Sequence, residues 1–321
     1  MSRLASKDLS GVASFLASDA CKNVVVLSGA GVSCAAGIPD FRSPGGMYDS
    51  LRPELLTATA QQRALMAQDP VYVVVKDMFL ANQFPYHEVR RPFILGTQEK
   101  KWKATLFHRF MEVLDKKGKL LRHFTQNIDG LDFQTGIDPK RVVACHGSVG
   151  RAACEVCEAP VDFDDYCARV RANIKDIYGV DPAAPKASKN LHCDRCGKPT
   201  LKPTTVLFGA SLPRAFFEAL ERDLPQADLV LVAGTSLVVS PANMVAATAP
   251  RSAVRVVADR EPVGRELGID YGSSSRDDVF LQGDVDDVIA GLAAEMGLAG
   301  DLRKFEGHLP EASVASLNKV G

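Results

Sequence analysis

Four short apolar runs, rich in Val and Leu, do not alternate regularly with polar residues: residues 23–27, 120–125, 229–233 and 254–258. A strand wet on one face alternates apolar with polar residues, whereas one covered on both faces does not. Helical patterns lie between these runs. In "ATLFHRFMEVLDKKG", residues 104–118, Leu106, Phe110, Val113 and Leu114 share one face and Gly118 is a stop. "PRAFFEALERDLPQ", residues 213–226, opens on Pro213 and closes near Pro225. Buried strands alternating with helices predict an α/β fold, a doubly wound and mostly parallel Rossmann-like sheet.

Two segments interrupt the alternation. Residues 51–103 read as helical and polar, and residues 151–201 hold paired cysteines without a long periodic pattern. Together they are expected to form a second, smaller domain of a helical insertion and a zinc ribbon. Residues 1–50, 104–150 and 202–299 are assigned to the sheet domain, and the polar residues 300–321 to a loosely ordered tail. A chain of 321 residues, 46% hydrophobic and 24% charged, has length enough for such a core. Its net charge of −1 gives no global basic field for nucleic acid or anionic membrane. Apolar runs such as "ADLVLVAG", residues 227–234, are too short to span a bilayer. The first residues have little basic character, so a cytoplasmic or nuclear location is expected ahead of a mitochondrial one, and secretion is not.

The first apolar run enters "GAGVSCAAGIPDFRS". Glycines directly after a strand let backbone approach a pyrophosphate, although a tight turn without a ligand uses them equally. The dinucleotide fingerprint of dehydrogenases fails, because Cys34 stands where its third glycine belongs and "SPGGMYDSLRP", around Asp49, is no strand. A nucleotide is expected and hydride transfer is not. Asp40, Phe41 and Arg42 then place a carboxylate, a ring and a guanidinium together, a set able to clamp a leaving group and a phosphate.

Cys154-x-x-Cys157 and Cys193-x-x-Cys196 are two knuckles separated by 35 residues (193 − 157 − 1). Four thiolates at this spacing close a tetrahedral zinc site and leave no open position, so the metal is expected to be structural. Cys21, Cys34, Cys145 and Cys167 read as core or loop thiols. A zinc ribbon could also bind nucleic acid, but near the knuckles only Arg195, Lys198 and Lys202 are basic and aromatics are absent.

"GAGVSCAAGIPDFRSPGGMY" resembles the signature of the sirtuins, the NAD-dependent protein deacylases. "TQNIDGL" (125–131), "CHGS" (145–148) and "GTSLVVSPA" (234–242) follow in that family's order. The resemblance covers roughly residues 23–286 and implies an NAD-dependent enzyme that removes acyl groups, acetyl foremost, from protein lysine. It implies that the acyl oxygen attacks the anomeric carbon of the nicotinamide ribose and displaces nicotinamide. His146, the catalytic base, then takes a ribose proton, the 2′-hydroxyl attacks the acyl carbon, and hydrolysis yields deacylated lysine and O-acyl-ADP-ribose. By itself a lone histidine is more often structural, and Asn-Ile-Asp-Gly suits a capped turn. The resemblance instead places Gln126, Asn127, Ile128 and Asp129 around nicotinamide and ribose, with Asn127 also catalytic. It adds Gly29, Ala30, Gly31, Ser33, Ile38, Pro39, Asp40, Phe41, Arg42 and Tyr48 to the NAD-binding set. Gly234, Thr235, Ser236, Arg260 and Val285 join them, and Asp259 at a strand end faces the adenosine ribose.

The resemblance also implies that an extended acyl-lysine peptide adds between Val206, Phe208 and Gly209 on one side and Leu237 and Val239 on the other. The chain departs from the family in three places. Asp259 replaces the usual Asn, and Thr204 and Ala210 replace usual acids. Residues 84–101, "FPYHEVRRPFILGTQEKK", depart from the compact helical module and read as a partner loop or a solvated feature. No arginine–tyrosine motif of the desuccinylase type is evident, so neutral acyl groups are favoured. Competing readings are an NAD-dependent protein ADP-ribosyltransferase and a non-catalytic NAD-binding zinc-ribbon protein.

Overall fold

The computed structural model describes residues 2–39, 46, 49–272 and 277–320. Among these, nine strands occur in chain order: β1 Val24–Ser28, β2 Leu120–Thr125, β3 Val142–Ala144, β4 Ala152–Cys154, β5 Pro160–Val161, β6 Leu201–Pro203, β7 Leu229–Ala233, β8 Val254–Asp259 and β9 Asp278–Gln282. Six form one sheet in the order β3-β2-β1-β7-β8-β9, every pairing parallel. Strand order reverses beside β1, the topology of a doubly wound Rossmann-like sheet. All residues of β1 and β7 are buried, as unalternating Val and Leu require. The helix Leu106–Lys116 buries Leu106, Phe110, Val113 and Leu114, and Gly118 past its end takes φ +70°. The helix Arg214–Asp223 follows Pro213 and passes into a 3₁₀ turn, Leu224–Gln226.

The chain divides into two compact units. The first comprises Met1–Ile38, Trp102–His146 and Leu212–Gly321 and contains the six-stranded sheet. The second comprises Pro39–Lys101 and Gly147–Ser211, with helices and the three-stranded antiparallel sheet β5-β4-β6. Residues 202–211 group with the second unit rather than with the sheet domain. The reason is pairing: β6 lies against β4, and Phe208 bridges to Val75.

Residues 300–321 are not a loose tail. The helices Ala299–Arg303 and Glu311–Asn318 bury Leu302 and Leu317 in the first unit's core, Leu309 between them joins that core, and Ser313 Oγ donates to the buried Asp286 at 2.5 Å. Three leucines spaced through polar residues supply that anchorage. Nor are residues 84–101 a loop or a solvated feature. They form the helix Phe84–Gln98, which buries Tyr86, His87, Val89, Ile94 and Leu95. Its charges are matched: Arg91 reaches Asp181 at 2.6 Å and the Ile174 carbonyl at 2.9 Å.

One ion pair closes the sheet's far edge. Arg255 of β8, 1% exposed, stands opposite Asp278 of β9 with bonds of 2.7 and 2.5 Å. Removing one partner of a buried pair strands the other charge. Arg255→Met should therefore lower the unfolding free energy by about 3–5 kcal/mol. Urea titration checks this, and a loss under about 1 kcal/mol would mean that Asp278 is satisfied without its arginine.

Candidate functional site

The polar residues singled out in the sequence stand just beyond the carboxyl ends of the parallel strands. Gly29 to Ile38 follow β1, Gln126 to Asp129 follow β2, and His146 follows β3. Gly234 to Ser236 follow β7, Asp259 ends β8, and Val285 comes three residues after β9. In an open parallel sheet this rim is where ligands bind.

The glycine loop has a reason to be glycine beyond any ligand. Its backbone crosses the turn after β7, where the Gly31 amide donates to the Gly234 carbonyl at 2.9 Å. A Cβ on Gly31 would lie 2.6 Å from Gly234 Cα. The segment after it is a 3₁₀ helix, Ala30–Ala36, rather than an α-helix. Its Ser33 is buried and donates to Asp129 Oδ2 at 2.7 Å, while Asn127 Nδ2 donates to Ser33 Oγ at 3.0 Å. Asp129 Oδ1 accepts from the Leu131 amide at 2.9 Å, so both its oxygens are engaged. Burial, helped by the charge of Asp132, pushes the Asp129 carboxyl up to about 6.

Gln126 Nε2 donates to Thr235 Oγ1 at 2.9 Å, tying the loop after β2 to the loop after β7. The Gln126 carbonyl accepts from His146 Nδ1 at 2.8 Å. A carbonyl only accepts, so the proton sits on Nδ1 and Nε2 of the neutral ring carries a lone pair. Burial holds His146 below its ordinary value against the opposing pull of the Gln126 carbonyl.

Asp259 ends β8 with Oδ1 accepting from the Arg260 amide at 2.7 Å and more weakly from the Glu261 amide at 3.4 Å. Burial pushes its carboxyl up. The Arg260 guanidinium is paired with Asp284. Val285 turns its side chain into the core and opens the helix Val285–Glu295. Ala30 and Ile38 are half-buried, Pro39 and Ser236 are exposed, and Ile128 is buried. Asp40, Phe41, Arg42 and Tyr48 lie outside the described residues.

Two further histidines, His108 and His123, lie beneath these residues. Among the buried groups under the rim, Ser28 Oγ lies 2.8 Å from His123 Nε2, and His123 Nδ1 lies 3.4 Å from Asp132. His108 packs 3.8 Å from the same carboxylate, with Nδ1 at 2.8 Å from Thr105 Oγ1. Burial depresses the two rings to about 3 and about 4, so they stay neutral. The spacing Thr105 to His108 is a helix-capping signal, but nothing local shows that Asp132 meets both rings.

In the second unit Val206 is half-buried and Phe208 and Gly209 are exposed. Thr204 Oγ1 donates to the Ser148 carbonyl at 3.2 Å, which an ionised acid at this position could not do. Gly147 of "CHGS" takes φ +74° against Thr204, where a Cβ would lie 1.9 Å from the Thr204 carbonyl oxygen. In the first unit Leu237 is buried at φ +59° and Val239 is half-buried.

The four knuckle thiols converge, with all sulfurs within 4.8 Å of one another. Cys154 Sγ lies 3.7 Å from Cys196 Sγ, and Cys157 Sγ lies 3.6 Å from Cys193 Sγ. A tetrahedron of Zn–S bonds near 2.3 Å has edges of about 3.8 Å, so the four residues fit a zinc ion. After each knuckle the chain turns left-handed, at Glu158 (φ +59°) and Gly197 (φ +70°). Lys202, counted above among basic groups near the knuckles, is 3% exposed. That further weakens a nucleic-acid surface there. Among the described residues no helix is long and apolar enough to cross a membrane.

The Sir2 family model matches residues 29–241. The chain is 33% identical over 284 residues to the NAD-dependent protein deacetylase sirtuin-1 of Rattus norvegicus, a match covering 86% of this chain and 44% of that protein. It is 33% identical over 301 residues to the NAD-dependent protein deacetylase hst2 of Schizosaccharomyces pombe, covering 94% of this chain and 80% of that protein. It is 33% identical over 273 residues to the NAD-dependent deacetylase sir2D of Dictyostelium discoideum, covering 82% of this chain and 44% of that protein. The chain thus spans less than half the length of the rat and Dictyostelium relatives.

Proposed function

The chain belongs to the Sir2 family, and from that premise we propose that it removes acyl groups, acetyl foremost, from protein lysines while consuming NAD. The observation that carries this reading is the bonded set Asn127–Ser33–Asp129 beside Gln126–His146, all at the carboxyl rim of the parallel sheet. The resemblance to relatives named as NAD-dependent protein deacetylases supports it.

Bound NAD would supply a ribose carbon that takes the acyl oxygen as nicotinamide leaves. In this reading Asn127 and Asp129 line the nicotinamide and ribose pocket, with Ser33 fixing both. By their match to the family signature, Asp40 and Phe41 would act on the leaving group and Arg42 on phosphate. His146 removes the ribose proton through Nε2, which the Nδ1 bond to Gln126 leaves free. Thr235, held by Gln126, and the backbone of Gly234 serve the phosphate side. Val285 contributes through its backbone, since its side chain is committed to the core. Val206, Phe208 and Gly209 in the second unit would pair with the peptide through their main chain, and the family pattern gives the same role to Leu237 and Val239 in the first. The four thiolates would hold one structural zinc.

The test is nicotinamide release from NAD with acetyl, myristoyl and succinyl lysine peptides. Release that depends on an acyl peptide supports the reading. Transfer of label from NAD to protein without deacylation would replace it with ADP-ribosyl transfer. NAD binding without nicotinamide release would replace it with a non-catalytic role.

Asp259 gives a second expected outcome. Its Oδ1 is occupied by backbone amides, and the carboxylate retains acceptor capacity for ribose hydroxyls. A 2′-phosphate there would meet that carboxylate, and Arg260 is engaged with Asp284 rather than free to screen it. NAD should therefore bind at least about tenfold tighter than NADP, near 1.4 kcal/mol, and Asp259→Asn should narrow the gap. Equal affinities in the wild type, by calorimetry, would remove Asp259 from the ribose.

A further inference from the structure

A lysine with 3% exposure is unusual, because an ammonium leaves water only when its protons find acceptors. Lys202 has three donors and three acceptors: the carbonyls of Pro203 at 2.9 Å and Thr205 at 2.6 Å, and Glu155 Oε2 at 3.0 Å. Glu155 stands inside the first knuckle, between Cys154 and Cys157, and its amide donates to the Thr200 carbonyl at 2.9 Å. Its other oxygen lies 3.4 Å from Lys76 Nζ. The Lys76 amide donates in turn to the Phe208 carbonyl at 3.0 Å, and the Phe208 amide to the Val74 carbonyl at 2.9 Å.

One carboxylate thus grips residues 203–208 from both ends, through Lys202 at the start and through Lys76 at the finish. The grip also selects which backbone groups stay available. Carbonyls 203 and 205 are taken by Lys202, carbonyl 207 by the Ala210 amide, and both groups of Phe208 by the bridge to Val74 and Lys76. The Val206 amide and carbonyl have no intrachain partner among the described residues. Strand addition needs such a pre-set row of unpaired groups, because main-chain bonds supply its affinity.

We infer that Glu155 and Lys202 are positioning residues for the acyl-peptide segment, through which the first thiolate knuckle sets that segment's geometry. The inference rests on the proposed assignment of Val206, Phe208 and Gly209 to the peptide. Neither residue touches substrate in this scheme. Their effect is to hold the Val206 amide and carbonyl free of intrachain partners among the described residues.

The test uses the full-length, zinc-loaded protein with Glu155→Gln, which keeps shape and the Thr200 bond, and Glu155→Asp, which keeps charge. Hydrogen exchange followed by mass spectrometry should show amides 204–208 opening at least about tenfold faster in Glu155→Gln, with bound zinc still stoichiometric. KM for an acetyl-lysine peptide should rise about tenfold with kcat and the KM for NAD within twofold, and Glu155→Asp should recover part of the loss. Unchanged exchange at 204–208, or loss of zinc in place of faster exchange, overturns the inference. A wild-type protein that releases no nicotinamide with any acyl peptide overturns the proposed function instead, and the exchange result identifies which of the two has failed.

Discussion

His146→Ala is expected to lower deacylation by about 10²- to 10⁴-fold, the range for a lost general base, while NAD affinity changes little. Among the described residues the side chain's polar bond is Nδ1 to the Gln126 carbonyl at 2.8 Å, so truncation removes the Nε2 acceptor without unmaking the Ser33–Asp129–Asn127 set. The pH dependence carries the sign. Burial places His146 below its ordinary value near 6.5, so the free base persists through neutral pH and the rate should fall only below that value. Asp129, raised to about 6 chiefly by burial, becomes protonated in the same region and should steepen the acid limb. For stability, a histidine held below its unfolded pKa contributes above that pKa and loses its contribution as pH falls. Asp129 has the opposite sign, since its folded form binds protons more readily between about 4 and 6. Calorimetry of NAD alongside turnover separates the two roles. Near-wild-type turnover in the variant would remove His146 from the chemistry.

The sheet was legible because its central strands are continuous Val and Leu, a pattern that burial on both faces imposes. Strand β9 was not, because it opens on Asp278. That charge is tolerated only opposite Arg255, and the pairing joins positions 23 residues apart in sequence. The helix Phe84–Gln98 was misread for the same reason. Glu88, Arg90 and Arg91 look solvated in sequence, yet Glu88 accepts from the Thr57 amide at 2.8 Å and from Ser188 Oγ at 2.6 Å. Buried charges announce themselves through partners that are remote along the chain. The rim residues were legible for a different reason. Glycine and Asn-Ile-Asp-Gly turns are local, and strand ends can be placed from the strands. The cluster of His108, His123 and Asp132 beneath them has no local signature, and neither does the burial of Lys202.

Cys193→Ser is expected to abolish stoichiometric zinc and to melt the second unit well below the first. A hydroxyl is a poor substitute for a thiolate, and the remaining three sulfurs leave the tetrahedron open. The second unit otherwise ties the first knuckle through Glu155 to Lys202 and Thr200. Its core around Leu56, Met66, Val73, Phe79, Tyr86 and Val89 is built from the helical insertion and Leu207, and none of the knuckle cysteines belongs to it. The antiparallel sheet beside the thiols has strands of only two and three residues, too short for independent stability. Structural zinc in small modules supplies about 10–16 kcal/mol of apparent binding free energy, which appears as folding free energy. The first unit has its own extensive core, including Leu302, Leu309 and Leu317, so it should keep its transition. The expected trace is therefore two unfolding steps in place of one, with the lower step also produced in the wild type by a chelator. Elemental analysis gives the metal content and differential scanning calorimetry gives the steps. A variant that retains one zinc per chain and melts as the wild type does would show that the four thiols are neighbours without being ligands.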